Sequence, residues 1–357
     1  MQEKGIISTN QFIWMLFIII TSVAALEAPT MLIMQAGRDA WLAIIGGWFL
    51  DVILALVYAY MGIRFPAQNF VQYSITILGK YVGPLVGIIF PMFFLLVCIL
   101  LQSSLAQLLC SLYLGSTPFV VIMATIFVTS SYVARNGIKI IARMSEFLGP
   151  IYILGVVLIG LLIIPFVDID KLQPQLEQGF SPMIFNSPFV LSFFGICIIM
   201  AMFIPLCNQP ENGFKAKFIA VSLGAFFLGL VVILTITVFN LKYAQRAFAP
   251  IYQITRLLNP AVQPVWLIIF VGAGIIASAM MLWAFSLGLS QIIGLSTYKP
   301  LVYPAGFIAL ILSLSSFENN IKLIHYIQHT FPVIAILVEG VLEILLFVLA
   351  LALNKHG

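Results

Sequence analysis

Charge is what this chain lacks. Only 8% of its 357 residues are Asp, Glu, Lys or Arg, where soluble domains carry roughly 25%. A core of this length facing water needs a charged coat, and 16 basic with 12 acidic side chains cannot supply one. A soluble globular enzyme is excluded, and lipid becomes the expected solvent. Cysteine is sparse as well: Cys98, Cys110, Cys197 and Cys207 form no CxxC pair, and three sit well inside apolar runs, so no disulfide framework is expected. The surplus of +4 is small and scattered, which leaves no footprint for nucleic acid. No GxSxG, P-loop or GxGxxG occurs, so the chain offers no enzymatic centre and no cofactor is expected. His325 and His329 have the i, i+4 spacing of helical metal ligands but lack the glutamate of HExxH and a third ligand, so no metal site is expected either.

What is present is apolar sequence, 62% of the chain. With ~20 apolar residues needed to cross the hydrocarbon, it divides into ten candidate helices at 11–34, 41–60, 82–113, 118–133, 147–167, 187–206, 216–240, 264–293, 300–316 and 331–353. Residues 1–26 superficially resemble a signal peptide, but the start carries almost no net charge and spans continue to the end, so they read as the first span. Ten spans put both termini on one side. Taking that side as cytoplasmic gives it Lys4, Arg64, Lys80, Arg135, Lys139, Arg143, Lys215, Lys217, Lys299 and Lys355, ten basic residues against the six of the other side, which favours cytoplasmic termini.

Cut near residue 180, the halves 1–180 and 181–357 share one rhythm. Two ordinary spans precede an amphipathic connector, 66–79 or 245–258, and then a long third span of about 32 or 30 residues. A short span near Pro118 or Pro300 follows, and each half closes with a span starting beside Pro150 or Pro332. Five spans per half is odd, so the two repeats must have opposite orientations. The expected fold is therefore an all-α integral membrane protein, a single membrane domain built as an inverted five-plus-five repeat of the LeuT-like kind.

Such folds hold ligands at mid-depth, where the first span of each half is broken. Span one carries Glu27 and Pro29 inside a long apolar run. Pro29 has no N–H, so the Ala25 carbonyl loses its helical partner, and Thr30 with Met31 would open a second half-helix whose positive end suits a carboxylate. The competing reading is a merely kinked helix with Glu27 near the outer interface. In span six, Phe193, Phe194 and Gly195 lie at the matching depth, and the glycine permits either unwinding or close helix approach. By depth, Phe94, Cys98, Phe194 and Ser278 are the expected pocket walls. Gln102, Ser103, Ser104 and Gln107 read as interhelical hydrogen-bonding groups, and Arg143 with Glu146 as an interfacial ion pair.

Intramembrane carboxylates cost about 2.5–3.5 kcal/mol each at a helix centre. The candidates are Glu27, Asp51, Glu339 and Glu343, and each needs protonation, pairing or water. Glu339 and Glu343 are four apart on one face of span ten, which suggests a proton or ion path or a pair of acids satisfied by other helices. Glu339 lies about 21 Å from the end of the span at ~1.5 Å per residue and is expected to face the interior, with Glu343 the less buried of the two.

Several stretches resemble a known family: Ile7-Ser8-Thr9-Asn10-Gln11, Ala36-Gly37-Arg38-Asp39-Ala40-Trp41, Ile77-Leu78-Gly79-Lys80, and Arg135-Asn136-Gly137-Ile138 through Ile141-Ala142-Arg143-Met144-Ser145-Glu146. They are similar to the B subunits of bacterial spore germinant receptors, relatives of the amino acid, polyamine and organocation transporters. The resemblance implies an inner spore-membrane subunit sensing a nutrient, commonly an amino acid, beside an A-type subunit and a lipoprotein C-type subunit. The chain departs from the superfamily at the first break, where Ala24-Ala25-Leu26-Glu27-Ala28-Pro29 replaces paired glycines. Three functions remain in play: a sensing subunit, an autonomous proton-coupled amino acid transporter, and a scaffold.

Overall fold

The computed structural model describes residues 7–177, 179–258, 262–317 and 319–357. Lys4, counted in the charge census, lies outside them. Among the described residues, eight stretches are long and apolar enough to cross a membrane, and two shorter apolar helices are Thr9–Ala24 and Phe119–Arg135. Span one is Thr9–Ala24 followed, after a break, by Ala28–Ala36, and span two is Ala40–Arg64. Spans three to five are Ile89–Leu112, Phe119–Arg135 and Ile138–Leu162. Span six covers Ser181–Leu206, span seven Gly213–Val238, span eight Val262–Ile293, span nine Lys299–Ser316 and span ten Asn320–Ala352.

Spans one and six form the centre. Phe12 and the run from Met15 to Thr21 are buried, and so is the stretch 190–206 of span six apart from the partly exposed Leu191 and Pro205. The outer helices instead show lipid a stripe of large apolar side chains. On span two these are Phe49, Ile53, Leu56, Tyr60 and Ile63, and on span ten Val333, Leu337, Val341, Ile344 and Val348. Their three- and four-residue spacing follows the helix period, with the apolar face turned outward because no water is there to repel.

The start of span one is tied to the end of span six. Ile7 N–H donates to the Leu206 carbonyl at 2.9 Å, and Asn208 N–H to the Ile7 carbonyl at 3.1 Å. The Gly37-Arg38-Asp39 corner has a structural use: both Asp39 carboxylate oxygens accept from Leu176 N–H, at 3.0 and 3.1 Å, and Arg38 Nε donates to the Lys171 carbonyl at 3.2 Å. This corner clamps the loop that joins span five to span six.

Several expectations need correction. The long third span is not among them: Gly79 turns at φ +81° and ends the connector, and Ile88 keeps helical angles, its N–H donating to the Pro84 carbonyl at 3.0 Å and its carbonyl accepting from Met92 N–H at 3.1 Å, so 80–87 runs on into Ile89–Leu112 much as expected. Span five starts at Ile138 and span ten at Asn320, which leaves Pro150 and Pro332 inside their spans and not at the beginnings. Lys217, counted among the charges of the cytoplasmic side, is a buried residue of span seven. Arg143 and Glu146 do not pair: Glu146 accepts from Asn10 Nδ2 at 2.8 Å and Gln11 Nε2 at 2.9 Å, fastening the start of span one to span five.

Candidate functional site

Both expected breaks are real departures from α-helix. Span one stops at Ala24 and resumes at Ala28, and Glu27 stands in the N-cap position without capping the backbone by its side chain. Pro29 is the second residue of the resumed helix, so the Ala25 carbonyl lacks the N–H that a continuous helix would bring. The half-helix begins earlier than the sequence suggested. Met31 N–H is already committed to the Glu27 carbonyl at 3.1 Å, so Ala28 and Thr30, not Thr30 and Met31, carry the helix-start N–H groups that lack a helical acceptor.

Span six changes winding at Gly195, passing from α-helix over Ser181–Phe194 to 3-10 helix over Gly195–Ile199. Of the alternatives in the sequence, close approach is the one found, and the change of winding is a tightening rather than an unwinding. The space a side chain would need at Gly195 is filled by the Glu339 carboxylate. Opposite this over-wound stretch, span ten is under-wound: Ile336–Leu342 is π-helix, and Glu339 lies in it.

Glu27 is 5% exposed, and its Oε1 has no hydrogen-bond partner among the described residues. Two spaces meet at it. One is a cavity of about 330 Å³ bounded by Leu26, Thr30, Met31 and Met34 of span one, by Arg246 and Phe248 before span eight, and by Asn320 and Ile324 of span ten. Thr30 Oγ1 donates to the Ala247 carbonyl at 2.5 Å, so the turn before span eight is pinned onto the second half of span one as one wall. The other is a crevice of about 10 Å³, hardly room for one water, lined by Ser22, Leu100, Leu101, Ser104, Phe193 and Phe331.

Of the expected walls, none of Phe94, Cys98, Phe194 and Ser278 lines either space. All four are fully buried or nearly so, and Cys98 Sγ instead donates to the Ser278 carbonyl at 3.6 Å, joining span three to span eight. Gln102 Nε2 likewise bonds Ser130 Oγ of span four at 3.0 Å. Of the residues lining the crevice at Glu27, Phe193 is one position from Phe194, Leu101 three from Cys98 and Ser104 six from Cys98. Arg246 was missed as well; its place in a polar turn gave no sign that it overlooks the break.

Glu339 and Glu343 are both interior, at 1% and 0% exposure, so the expectation of a less buried Glu343 fails. Tyr73 of the connector helix before Gly79 explains it by donating to Glu343 Oε1 at 2.9 Å. Neither Glu339 oxygen has a partner among the described residues, although Tyr58 donates to the Glu339 backbone carbonyl at 2.6 Å. Asp51 is paired with Lys217 at 2.9 Å, and Lys217 also lies 4.1 Å from the Tyr58 ring centre.

Comparison with known proteins agrees with this architecture. Mhp1, a nucleobase-cation-symport-1 family transporter in a closed conformation, matches 96% of the chain and 78% of its own with a TM-score of 0.73 at 13% identity. MhsT in complex with L-phenylalanine matches 97% and 89% with a TM-score of 0.71, also at 13% identity. These likenesses establish a LeuT-type transporter fold, an all-α integral membrane architecture of ten spans. In sequence, spore germination protein KB of Bacillus subtilis is 26% identical over 329 residues, covering 89% of this chain and 87% of its own. Spore germination protein YndE of the same organism is 25% identical over 318 residues, covering 87% of both. The profile describing spore germination proteins, the spore permeases, matches residues 6–321, and the chain belongs to that family.

Proposed function

We propose that the chain is the nutrient-sensing membrane subunit of a spore germinant receptor, binding a small amino acid at the broken helices of spans one and six. The observation that carries this reading is Glu27, a nearly buried carboxylate with an unpartnered oxygen, among the lining residues of a cavity of about 330 Å³, a volume within the small-molecule range. The reading places the ammonium group between this carboxylate and the Ala25 carbonyl. A carboxylate fits the N–H groups at the start of Ala28–Ala36, with Arg246 at the cavity wall adding a fixed positive charge. A head group with both charges is that of an amino acid, and MhsT, which shares the fold, was solved with L-phenylalanine.

The reading takes the chain as two repeats divided near residue 180, placed in the inner membrane of the spore with both termini cytoplasmic. Its assembly partners in this reading are A-type and lipoprotein C-type subunits, as the family resemblance implies. The transporter fold keeps a second reading open, that of an autonomous proton-coupled amino acid transporter.

Reconstitution of the purified chain in vesicles, with binding and uptake of labelled amino acids measured together, tests these readings. Saturable binding without accumulation is expected, because a sensor needs only a difference in affinity between two states. Glu27→Gln should weaken that binding tenfold or more, about 1.4 kcal/mol. Accumulation would favour the transporter, and no binding at all would leave a scaffold.

A further inference from the structure

Glu339 stands apart from the ligand cavity, and its surroundings are short of positive charge. The groups around it that titrate or carry charge are Asp51 and Tyr58 of span two, Tyr73 of the connector, Cys197 of span six, Lys217 of span seven and Glu343 on its own span. Only Lys217 is basic, and it is committed to Asp51 at 2.9 Å with both side chains fully withdrawn from solvent. Glu343 has the Tyr73 hydroxyl. Glu339 is left with two unpartnered oxygens at 1% exposure.

An ionised carboxylate in that position would be an unpaired buried charge, which proteins avoid by pairing it, hydrating it or neutralising it. A metal cation would need several oxygen ligands, whereas the carboxylate here is pressed against the backbone of Gly195. A proton needs no further ligand. We propose that Glu339 is a proton-binding site keyed to the break of span six, holding its proton while Gly195–Ile199 lies against it and losing it when that segment moves. On release, the carboxyl O–H bond breaks, the proton passes to water admitted by the opened contact, and the same water hydrates the carboxylate left behind. Tyr58 is placed to transmit the change, since its ring faces the Lys217 ammonium and its hydroxyl holds the Glu339 backbone.

The proposal stands without an amino acid ligand, so its test begins without one. Infrared spectra of the full chain in lipid, recorded at neutral pH, should contain a protonated-carboxyl C=O band that Glu339→Gln removes and Glu343→Gln leaves in place. A spectrum unchanged by Glu339→Gln would overturn the proposal. If that variant does not accumulate, Glu339→Asp keeps the acid and must shift the band; a band that stays fixed overturns the proposal equally. Gly195→Ala, which forces Glu339 out of its place, should diminish the band, and an undiminished band would break the link to span six. Loss of the amino acid reading alone would leave the infrared result untouched.

Discussion

Lys217 Nζ lies 2.9 Å from Asp51 Oδ1 with both side chains at 0% exposure, so two residues 166 positions apart neutralise each other inside the bundle. The pairing joins span two to span seven, and the Tyr58 ring 4.1 Å away closes the remaining side of the ammonium group.

Breaking this pair from one side should be costly. Asp51→Asn or Lys217→Met leaves an uncompensated charge, worth about 3–5 kcal/mol of lost stability, whereas the double variant Asp51→Asn with Lys217→Met should recover most of it. Thermal unfolding of the detergent-solubilised protein measures the difference. Single variants melting with the wild type would show that the pair is not a structural unit.

The Asp39 clamp predicts a local effect. Asp39→Ala removes the bifurcated charge-assisted hydrogen bond from Leu176 N–H, worth roughly 1.5–3 kcal/mol, and should expose the loop at 168–177 to limited proteolysis before the spans are affected. Equal cleavage of the variant and the parent would remove the clamp from the account.

Pocket substitutions should separate the two faces of spans three and six. Phe193→Ala widens the crevice at Glu27 and should shift the germination dose–response toward larger amino acids at normal subunit abundance. Cys98→Trp and Phe194→Ala strike packed positions between helices, where overpacking costs about 1–3 kcal/mol and loss of a Phe about 3–5 kcal/mol. Both should lower abundance in spore membranes. A normal level of Cys98→Trp with altered specificity would return Cys98 to the binding site.

Topology is open to cysteine labelling. In a background with Cys110 and Cys207 replaced by serine, a cysteine at position 38 should react with an impermeant maleimide from the cortex-facing side only. Modification from the cytoplasmic face alone would reverse the orientation.

Composition settled the solvent and the class of fold, because 28 charged residues cannot coat a chain of this size in water and because spans of ~20 apolar residues have few alternatives to helix. Local chemistry also settled the first break. Pro29 withholds a donor and Glu27 is costly in lipid wherever it points, so a run of ten letters was enough to mark the place. The faces of the helices were another matter. Each residue turns a helix by about 100°, and a span that is apolar all round carries almost no signal of which side meets its neighbour. Hence Phe193 lines the crevice and Phe194 does not, and Ser104 looks toward Glu27 while Cys98 looks toward span eight. The partners of the charged residues lay further still from sequence reasoning. Glu343 is buried because Tyr73, 270 positions away, reaches it, and Lys217 enters the bundle because Asp51 awaits it. Hydropathy fixes how many helices cross the bilayer; packing between residues distant in the chain decides what each polar group meets once there.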